Sequence, residues 1–340
     1  MTPQPESLPR PACSVVIPSY NGRKLLGPCL ASIARHRPAG MPIEVIVADD
    51  ASADDTAAWL AGAHPDVRLE RLERNGGFCA AANAGVAAAR GAFVQLLNND
   101  TEVTAGWIEA GLAPFADPTV GSVAPLVLVR SDPSRVDSAG DCYALTGWPF
   151  KRGHGEPAAR WAGHPPDRVF GASASSAFYR AAALRAVGVP FDPSFGSYYE
   201  DVDLAFRLRW AGYDCAYAPA CRILHDVSAS YDHARPALQR RVARNGEVLF
   251  WSNLPAPLLL AALAPHLGFT LVQALWRLAR GRGRPLLQGK LDALRDFPTL
   301  RGRRLDRARL ARSAIARPHF PLDLAAVGAL RNHLRRPAGR

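Results

Sequence analysis

Lysine is scarce in this 340-residue chain: of 41 basic residues, only Lys24, Lys151 and Lys290 are lysines. So strong a bias toward arginine reflects genome composition rather than chemistry. The six cysteines, at positions 13, 29, 79, 142, 215 and 221, form no CxxC pair and no four-ligand zinc pattern. That pattern fits a reducing, cytosolic compartment without structural disulfides. The opening MTPQPESLPRPA has no apolar signal core. The first strand-to-helix turn reads PSYNGR, without GxGxxG, so a nicotinamide cofactor is not expected. A GxxxxGK phosphate loop and a GxSxG elbow are absent too, which argues against P-loop enzymes and α/β-hydrolases. No internal repeat is visible.

Charge is present but uneven. Of the net +11, residues 277–340 hold 17 basic and four acidic side chains, a net of +13, leaving the first 276 residues at −2. Basic tails attract polyanions, either nucleic acid or an anionic membrane. Before the tail lies LPAPLLLAALAPHLGFTLVQALW, Leu254 to Trp276, with no Asp, Glu, Lys or Arg. Its length approaches a membrane span, but Pro255, Pro257 and Pro265 weaken a continuous spanning helix. An apolar segment followed by arginines suits an interfacial element on anionic lipid. A true span and a buried helical hairpin or dimer contact are the alternatives. No aromatic interleaving or reader motif supports nucleic acid as a partner.

Up to residue 100 the chain alternates strand and helix. CSVVIP (13–18), IEVIVA (43–48), VRLERL (67–72) and AFVQLL (92–97) read as strands. Helices read at Arg23–Arg35, in SADDTAAWLAG with Ser52 as N-cap and Asp55 at the capping-box position, and in NGGFCAAANAGVAAAR. The pattern predicts an α/β fold with a mostly parallel sheet. Ligands of such sheets bind outside the carboxyl ends of the strands. Pro18–Tyr20, Asp49–Asp50 and Asn98–Asp100 then surround one cleft. The middle, 121–170, is irregular and holds DSAGD and LTGWPFKRGHGE. FGASASSAFYRAAALRAVG resumes strand and helix, YDCAYAPACRILHDVSAS reads as a strand pair with His225 at its end, and after about Ala234 the chain turns helical.

SYYEDVDLAF, 197–206, packs Glu200, Asp201 and Asp203 together. A helix from Asp201 to Ala211, stopped by Gly212, places Asp203 and Arg207 four apart on a solvated face. Asp201 instead heads the apolar stripe of Leu204, Ala205 and Leu208. An acid there either caps the helix or faces a cleft with a raised pKa. Among the strand-end acids, Asp49 suits a ribose hydroxyl or a base N–H, and Asp100 is a hard oxygen ligand for Mg2+ or Mn2+. Taken singly, each has a plain alternative: Asp49 capping a helix, Asp100 serving the NNDT turn, His225 satisfied in the core.

In order, SVVIPSYNG, VIVADDASADDT, RNGGFCAAANAGVAAARGAFVQLLNNDT and FDPSFGSYYEDVDLAFRLRWAGYDCAYAPACRILH resemble the motifs of family 2 inverting glycosyltransferases with the GT-A fold. The resemblance runs from about Cys13 to Ser230. Within the family it is to bacterial rhamnosyltransferase-type enzymes of cell-surface polysaccharide assembly. It implies a nucleotide-diphosphate sugar donor, dTDP-rhamnose or a UDP-sugar, and a glycan or polyprenyl-diphosphate-linked acceptor. It puts Pro18, Tyr20 and Asn21 in the first nucleotide-contacting loop and Asp49 on the base or ribose. Ser52 and Asp54 belong to the loop that follows. Arg74, Asn75, Gly76 and Gly77 match the turn at the nucleotide sugar, with Asn83 beyond. Asn99 and Trp148 are further substrate-side candidates. NND stands at the DxD position, so Asp100 would bind Mg2+ or Mn2+, with Asn98 as a neutral oxygen donor and His225 completing the coordination. Asp201 matches the catalytic base, with Glu200 beside it.

The implied organisation is a GT-A domain over 1–235, with a nucleotide-sugar half at about 13–120 and an acceptor half at about 121–235. A basic, partly apolar helical region over 236–340 would hold the enzyme on the cytoplasmic, inner face of the cell membrane. A nucleotidyltransferase would use the same sheet, but its glycine- and lysine-rich loop is missing after the first strand. A catalytically degenerate GT-A scaffold is the other alternative.

Overall fold

A computed structural model of the chain describes residues 11–226, 235–281 and 283–324. The end of the expected motif at 227–230 and the tail arginines Arg282, Arg331, Arg335, Arg336 and Arg340 lie outside the described residues. Strands β1 (Cys13–Ser19), β2 (Ile43–Asp49), β3 (Arg68–Arg71) and β4 (Phe93–Leu96) alternate with helices α1 (Arg23–Arg35), α2 (Thr56–Ala63) and α3 (Phe78–Ala88). The four strands pair in parallel in the order β3-β2-β1-β4. Next come β5 (Thr101–Val103), α4 (Trp107–Leu112), β6 (Val120–Val129) and β7 (Asp132–Ser138). A hairpin of β8 (Asp141–Tyr143) and β9 (Pro149–Lys151) follows, then α5 (Ala158–Ala162), β10 (Arg168–Val169), β11 (Phe178–Arg180) and α6 (Ala181–Ala186). Last in the sheet domain are α7 (Glu200–Trp210) and β12 (Asp214–His225). β11 runs antiparallel between β4 and β6, and β12 lies parallel to β6.

Side-chain alternation builds a core on each face of the sheet. Val15 and Ile17 pack with Leu26 and Leu30 of α1, while Val16 packs with Ala82 of α3 and with Leu204 and Leu208 of α7. A third core joins Val202 and Phe206 of α7 to Val248, Leu249 and Phe250 of α8 (Pro236–Asn253). Helices α9 (Ala256–Leu278), α10 (Gly283–Arg295) and α11 (Phe297–Arg312) follow among the described residues.

Four local expectations change. Helix α2 starts at Thr56 rather than after Ser52, because Asp54 Oδ1 accepts the Thr56 N–H (3.1 Å) and the Ser52 side chain turns to Asp49. The expected strand pair before His225 is one strand, β12, held along β6 with a register shift between Ala218 and Arg222, where Pro219 can donate no ladder hydrogen bond. Helix α9 is continuous despite its prolines. Pro255 and Pro257 fall at its start, where missing donors do no harm, and only Pro265 is interior.

Asp203 pairs with Arg207 (2.8 Å) as expected, but it is fully buried rather than solvated. It also takes Arg307 of α11 (2.7 Å) and Asn253 of α8 (3.1 Å). Burial opposes its charge, yet Arg307, Arg207 and Arg303 outweigh burial and hold its pKa well below the carboxylate range.

Candidate active site

β1 lies at the switch point of the parallel strands, with β2 on one side and β4 on the other. The loops after β1 and β4 therefore open a crevice at its carboxyl end. Asn21, at φ +48°, stitches this region: its Oδ1 accepts the N–H groups of Ala53 (2.9 Å) and Asp54 (3.4 Å), and its own N–H donates to Ser52 Oγ (2.8 Å). Ser52 donates from Oγ to Asp49 Oδ1 and from N–H to Asp49 Oδ2 (3.3 Å). Arg71 Nε stands 3.4 Å from Asp49 Oδ2. Asp49 is thus fixed and fully buried, Pro18 is buried in β1, and Tyr20 stays exposed. Asn99 Nδ2 donates to Ser19 Oγ (3.1 Å) and ties the β4 loop to β1.

Asp50, to which sequence reasoning gave no role, shapes the glycine turn. It is buried and accepts the N–H groups of Gly76 (2.7 Å) and Gly77 (2.8 Å). Gly77 holds φ +78°, which favours glycine. Arg74 and Asn75 stand exposed on this turn. Asn83 exchanges two hydrogen bonds, of 2.7 and 2.9 Å, with the Phe191 backbone. Trp148 packs against Phe150 and against Phe269 of α9, with ring centroids 5.3 and 5.9 Å away.

Two consecutive residues join the halves of the site. Ala174 N–H donates to Asp201 Oδ2 (3.0 Å), and the neighbouring Ser175 O accepts the Asn98 N–H (2.8 Å). Asp201, at the head of α7, is thereby set close to the Asn98–Asp100 loop at the end of β4. Val202 N–H also donates to Asp201 Oδ1 (2.8 Å). The turn that delivers Asp201 is strained, with Tyr198 and Tyr199 at φ +70° and +73°. Asn245 of α8 pins it, donating from Nδ2 to the carbonyls of Phe195 (3.0 Å), Ser197 (3.3 Å) and Tyr198 (2.9 Å). Burial raises the Asp201 pKa, against the amides of Ala174 and Val202, which lower it. Glu200 and Asp141 are buried and pushed well above the ordinary carboxyl range, by burial first and by the Asp201 charge second.

On the other side, His225 ends β12 with Nδ1 3.0 Å from Asp137 Oδ2 and Nε2 3.4 Å from Asp100 Oδ1. Asp137 is fully buried and receives Lys151 Nζ at 2.8 Å on each oxygen. A carboxylate on Nδ1 fixes the ring so that Nε2 faces Asp100. Asp100 Oδ1 is buried without a hydrogen-bond partner. A carboxylate oxygen left unpaired beside an imidazole nitrogen fits a divalent cation. The set stops at two side chains: among the described residues no three His, Cys, Asp or Glu side chains are grouped to hold an ion. Burial pulls the His225 pKa down, but the neighbouring carboxylates of Asp100 and Asp137 outweigh it and raise it to about 9.

Sequence reasoning placed Asp50 at the cleft without a role and missed Asp137, Asp141, Lys151 and Asn245. Asp137 and Asp141 sit in the DSAGD stretch, where two acids around a glycine were a signal without an assignment. Chemically, the arrangement sets a half-buried carboxylate of raised pKa against a carboxylate–imidazole pair that suits a cation. That is a geometry for deprotonating a hydroxyl opposite a stabilised leaving anion.

A sequence model for glycosyl transferase family 2 matches residues 14–185. The chain is similar to the pre-mycofactocin glycosyltransferase of Mycobacterium tuberculosis, 32% identical over 250 residues that cover 72% of this chain and 47% of that protein. It therefore spans about half the length of that relative. It is also similar to the N-acetylglucosaminyl-diphospho-decaprenol L-rhamnosyltransferase of the same organism, 30% identical over 219 residues that cover 56% of this chain and 68% of that protein. Among solved structures it resembles mannosyltransferase PcManGT from Pyrobaculum calidifontis in complex with GDP-Man and Mn2+, with a TM-score of 0.51, 21% identity and coverage of 89% of this chain and 88% of that one. It resembles S. aureus TarS 1-349 in complex with UDP-GlcNAc at a TM-score of 0.50 and 20% identity, covering 88% of this chain and 89% of that one. At such identities the structural likeness is one of fold.

Proposed function

Since the chain belongs to glycosyl transferase family 2 and has the GT-A fold, we propose that it is an inverting glycosyltransferase. It moves a sugar from a nucleotide-diphosphate sugar to a hydroxyl of a glycan or lipid-linked glycan. The observation that carries this reading is the junction at Ala174–Ser175, which holds Asp201 on one side and the Asn98 loop on the other. Asp201 takes the proton of the acceptor hydroxyl. The freed oxygen attacks the anomeric carbon of the donor, and the bond from that carbon to the diphosphate oxygen breaks in line, inverting the centre. No covalent sugar–enzyme intermediate is needed. Asp100 and His225 would hold Mg2+ or Mn2+, with Asn98 as a neutral donor, and the cation supplies Lewis-acid neutralisation of the departing diphosphate. Asp49, with Asn21, Ser52 and Asp54, forms the nucleoside end, and the Arg74–Gly77 turn the donor-sugar side.

The rhamnosyltransferase relative supports rhamnose as the sugar and a polyprenyl-diphosphate-linked sugar as the acceptor; the donor is then dTDP-rhamnose, with a UDP-sugar as the second choice. Residues 1–235 are read as the catalytic domain and 236–340 as its membrane-facing extension. Among the described residues one helix, α9, is long and apolar enough to cross a bilayer. It exposes Leu267, Leu271, Val272 and Leu275, α10 exposes Leu287 and Leu291, and arginines follow. Such a face suits the surface of an anionic leaflet beside a lipid-linked acceptor.

The test is a thermal-shift titration with UDP, dTDP, GDP and CDP and their sugars, each with Mn2+, Mg2+ or EDTA. A ligand that binds only the folded chain raises its melting temperature. Stabilisation by one nucleotide diphosphate, strengthened by metal, is expected and names the base. No response to any of them sinks the reading.

A further inference from the structure

Two buried carboxyl oxygens near Asp201 have no hydrogen-bond partner, Asp141 Oδ2 and Glu200 Oε2. Their residues are only 6% and 7% exposed. Buried polar atoms left unpaired are costly and rare in native proteins. Two of them around a third acid mark a place where a bound molecule supplies the missing hydrogen bonds.

Asp141 reaches this place from β8. Its N–H donates to Gly171 O (2.9 Å). Gly171 in turn lies so near α7 that a Cβ added there would stand 2.7 Å from Ala205 Cβ and 3.9 Å from Asp141 Cβ. Ala205 is one helical turn beyond Asp201 on the same face. Glycine at 171 therefore lets β8 approach the head of α7. After burial, the charge of Asp201 is the largest influence raising the Asp141 pKa and so favouring its neutral form. A protonated carboxyl both donates and accepts. Lys151, the cross-strand neighbour of Asp141, is committed to Asp137.

We propose that Asp141 is an acceptor-binding residue: together with Glu200 it hydrogen-bonds hydroxyls adjacent to the one that Asp201 deprotonates. The acceptor end is then a sugar with vicinal hydroxyls rather than an isolated alcohol. Sugar hydroxyls match the site because each one donates and accepts, whereas an anionic acceptor group would meet three acids. This inference rests on glycosyl transfer as derived above.

The experiment uses the full chain, the donor selected by thermal shift, and octyl glucoside, octyl galactoside, octyl rhamnoside and octan-1-ol as acceptors. Asp141→Asn and Asp141→Leu are compared with the wild type. Transfer to at least one glycoside and none to octanol is expected. In Asp141→Leu the KM for that glycoside rises about tenfold or more, while the donor-induced shift is unchanged. Asp141→Asn keeps a donor and an acceptor of the same size and recovers most of the loss. Neither variant melts below the wild type, because no native side-chain hydrogen bond is removed. Should the leucine variant not fold, Asp141→Ser takes its place.

Wild-type acceptor KM in the leucine variant, a lowered melting temperature with unchanged KM, or use of octanol equal to the glycosides overturns the assignment. If every glycoside fails in a chain that binds and hydrolyses its donor, this inference falls and glycosyl transfer stands. If no nucleotide binds, both fall.

Discussion

In the proposed reaction Asp201 carries the heaviest chemical load of any single residue. Its two oxygens each take one backbone N–H, of which Asp201→Asn keeps one through its amide oxygen while losing the basicity. The expected outcome is a loss of transfer of about 10²- to 10⁴-fold, with the donor-induced thermal shift intact. Turnover close to wild type would remove Asp201 from the mechanism. Asp100 and His225 make the opposite prediction. Asp100→Ala should leave the metal-independent part of the nucleotide shift and abolish the part that Mn2+ adds. A metal-enhanced shift that survives in this variant would place the cation elsewhere.

Between elements, the turn into α7 depends on α8. Asn245 serves three carbonyls that flank two left-handed tyrosines. Asn245→Ala leaves those acceptors unpaired and should destabilise the chain by about 2–3 kcal/mol in urea unfolding. A change below about 0.5 kcal/mol would mean that water replaces the amide without loss.

Glu247 joins three helices. It accepts from Trp251 Nε1 (2.8 Å) within α8, from His266 Nε2 (3.2 Å) of α9 and from Lys290 of α10. Burial opposes its charge, but His266 and Lys290 prevail and lower its pKa to about 2. The folded value lies below the unfolded one of about 4.3, so this stabilisation is present above that pH and is lost as pH falls toward 2. The melting-temperature gap between wild type and Glu247→Gln should be widest near neutrality and narrow as pH drops below about 4.3. A gap independent of pH would show that packing, not charge, is what Glu247 provides.

For the whole molecule, the C-terminal helices combine support with surface. Arg303 and Arg307 of α11 neutralise Asp203 inside the sheet domain. Deleting 254–340 would leave that buried carboxylate with fewer partners, which is strongly destabilising. Membrane attachment is therefore better tested on exposed side chains. Leu271→Asp with Leu275→Asp should weaken co-sedimentation with phosphatidylglycerol vesicles about tenfold or more without lowering the melting temperature, since burying apolar side chains is worth about 1.5–3 kcal/mol each. Unchanged vesicle binding in a folded double variant would assign this apolar face to another contact.

Periodicity and composition determined the alternating α/β core, the strand-end acids and the run of motifs, because these depend on residues close in sequence. β1, α1 and β2 fall within a residue of their expected bounds for that reason. Tertiary structure decided everything carried by long-range contacts. Asp50 holds Gly76 from 26 residues away, Asp137 holds His225 from 88, and Asn245 holds the Tyr198 carbonyl from 47. Asp203 looked like half of a surface pair because its i+4 partner is local, while Arg307 lies 104 residues on. Local sequence specifies which groups a segment offers; only the packed chain decides which distant group accepts or neutralises them. A buried charge must find its partner somewhere, and nothing in the neighbouring residues says where.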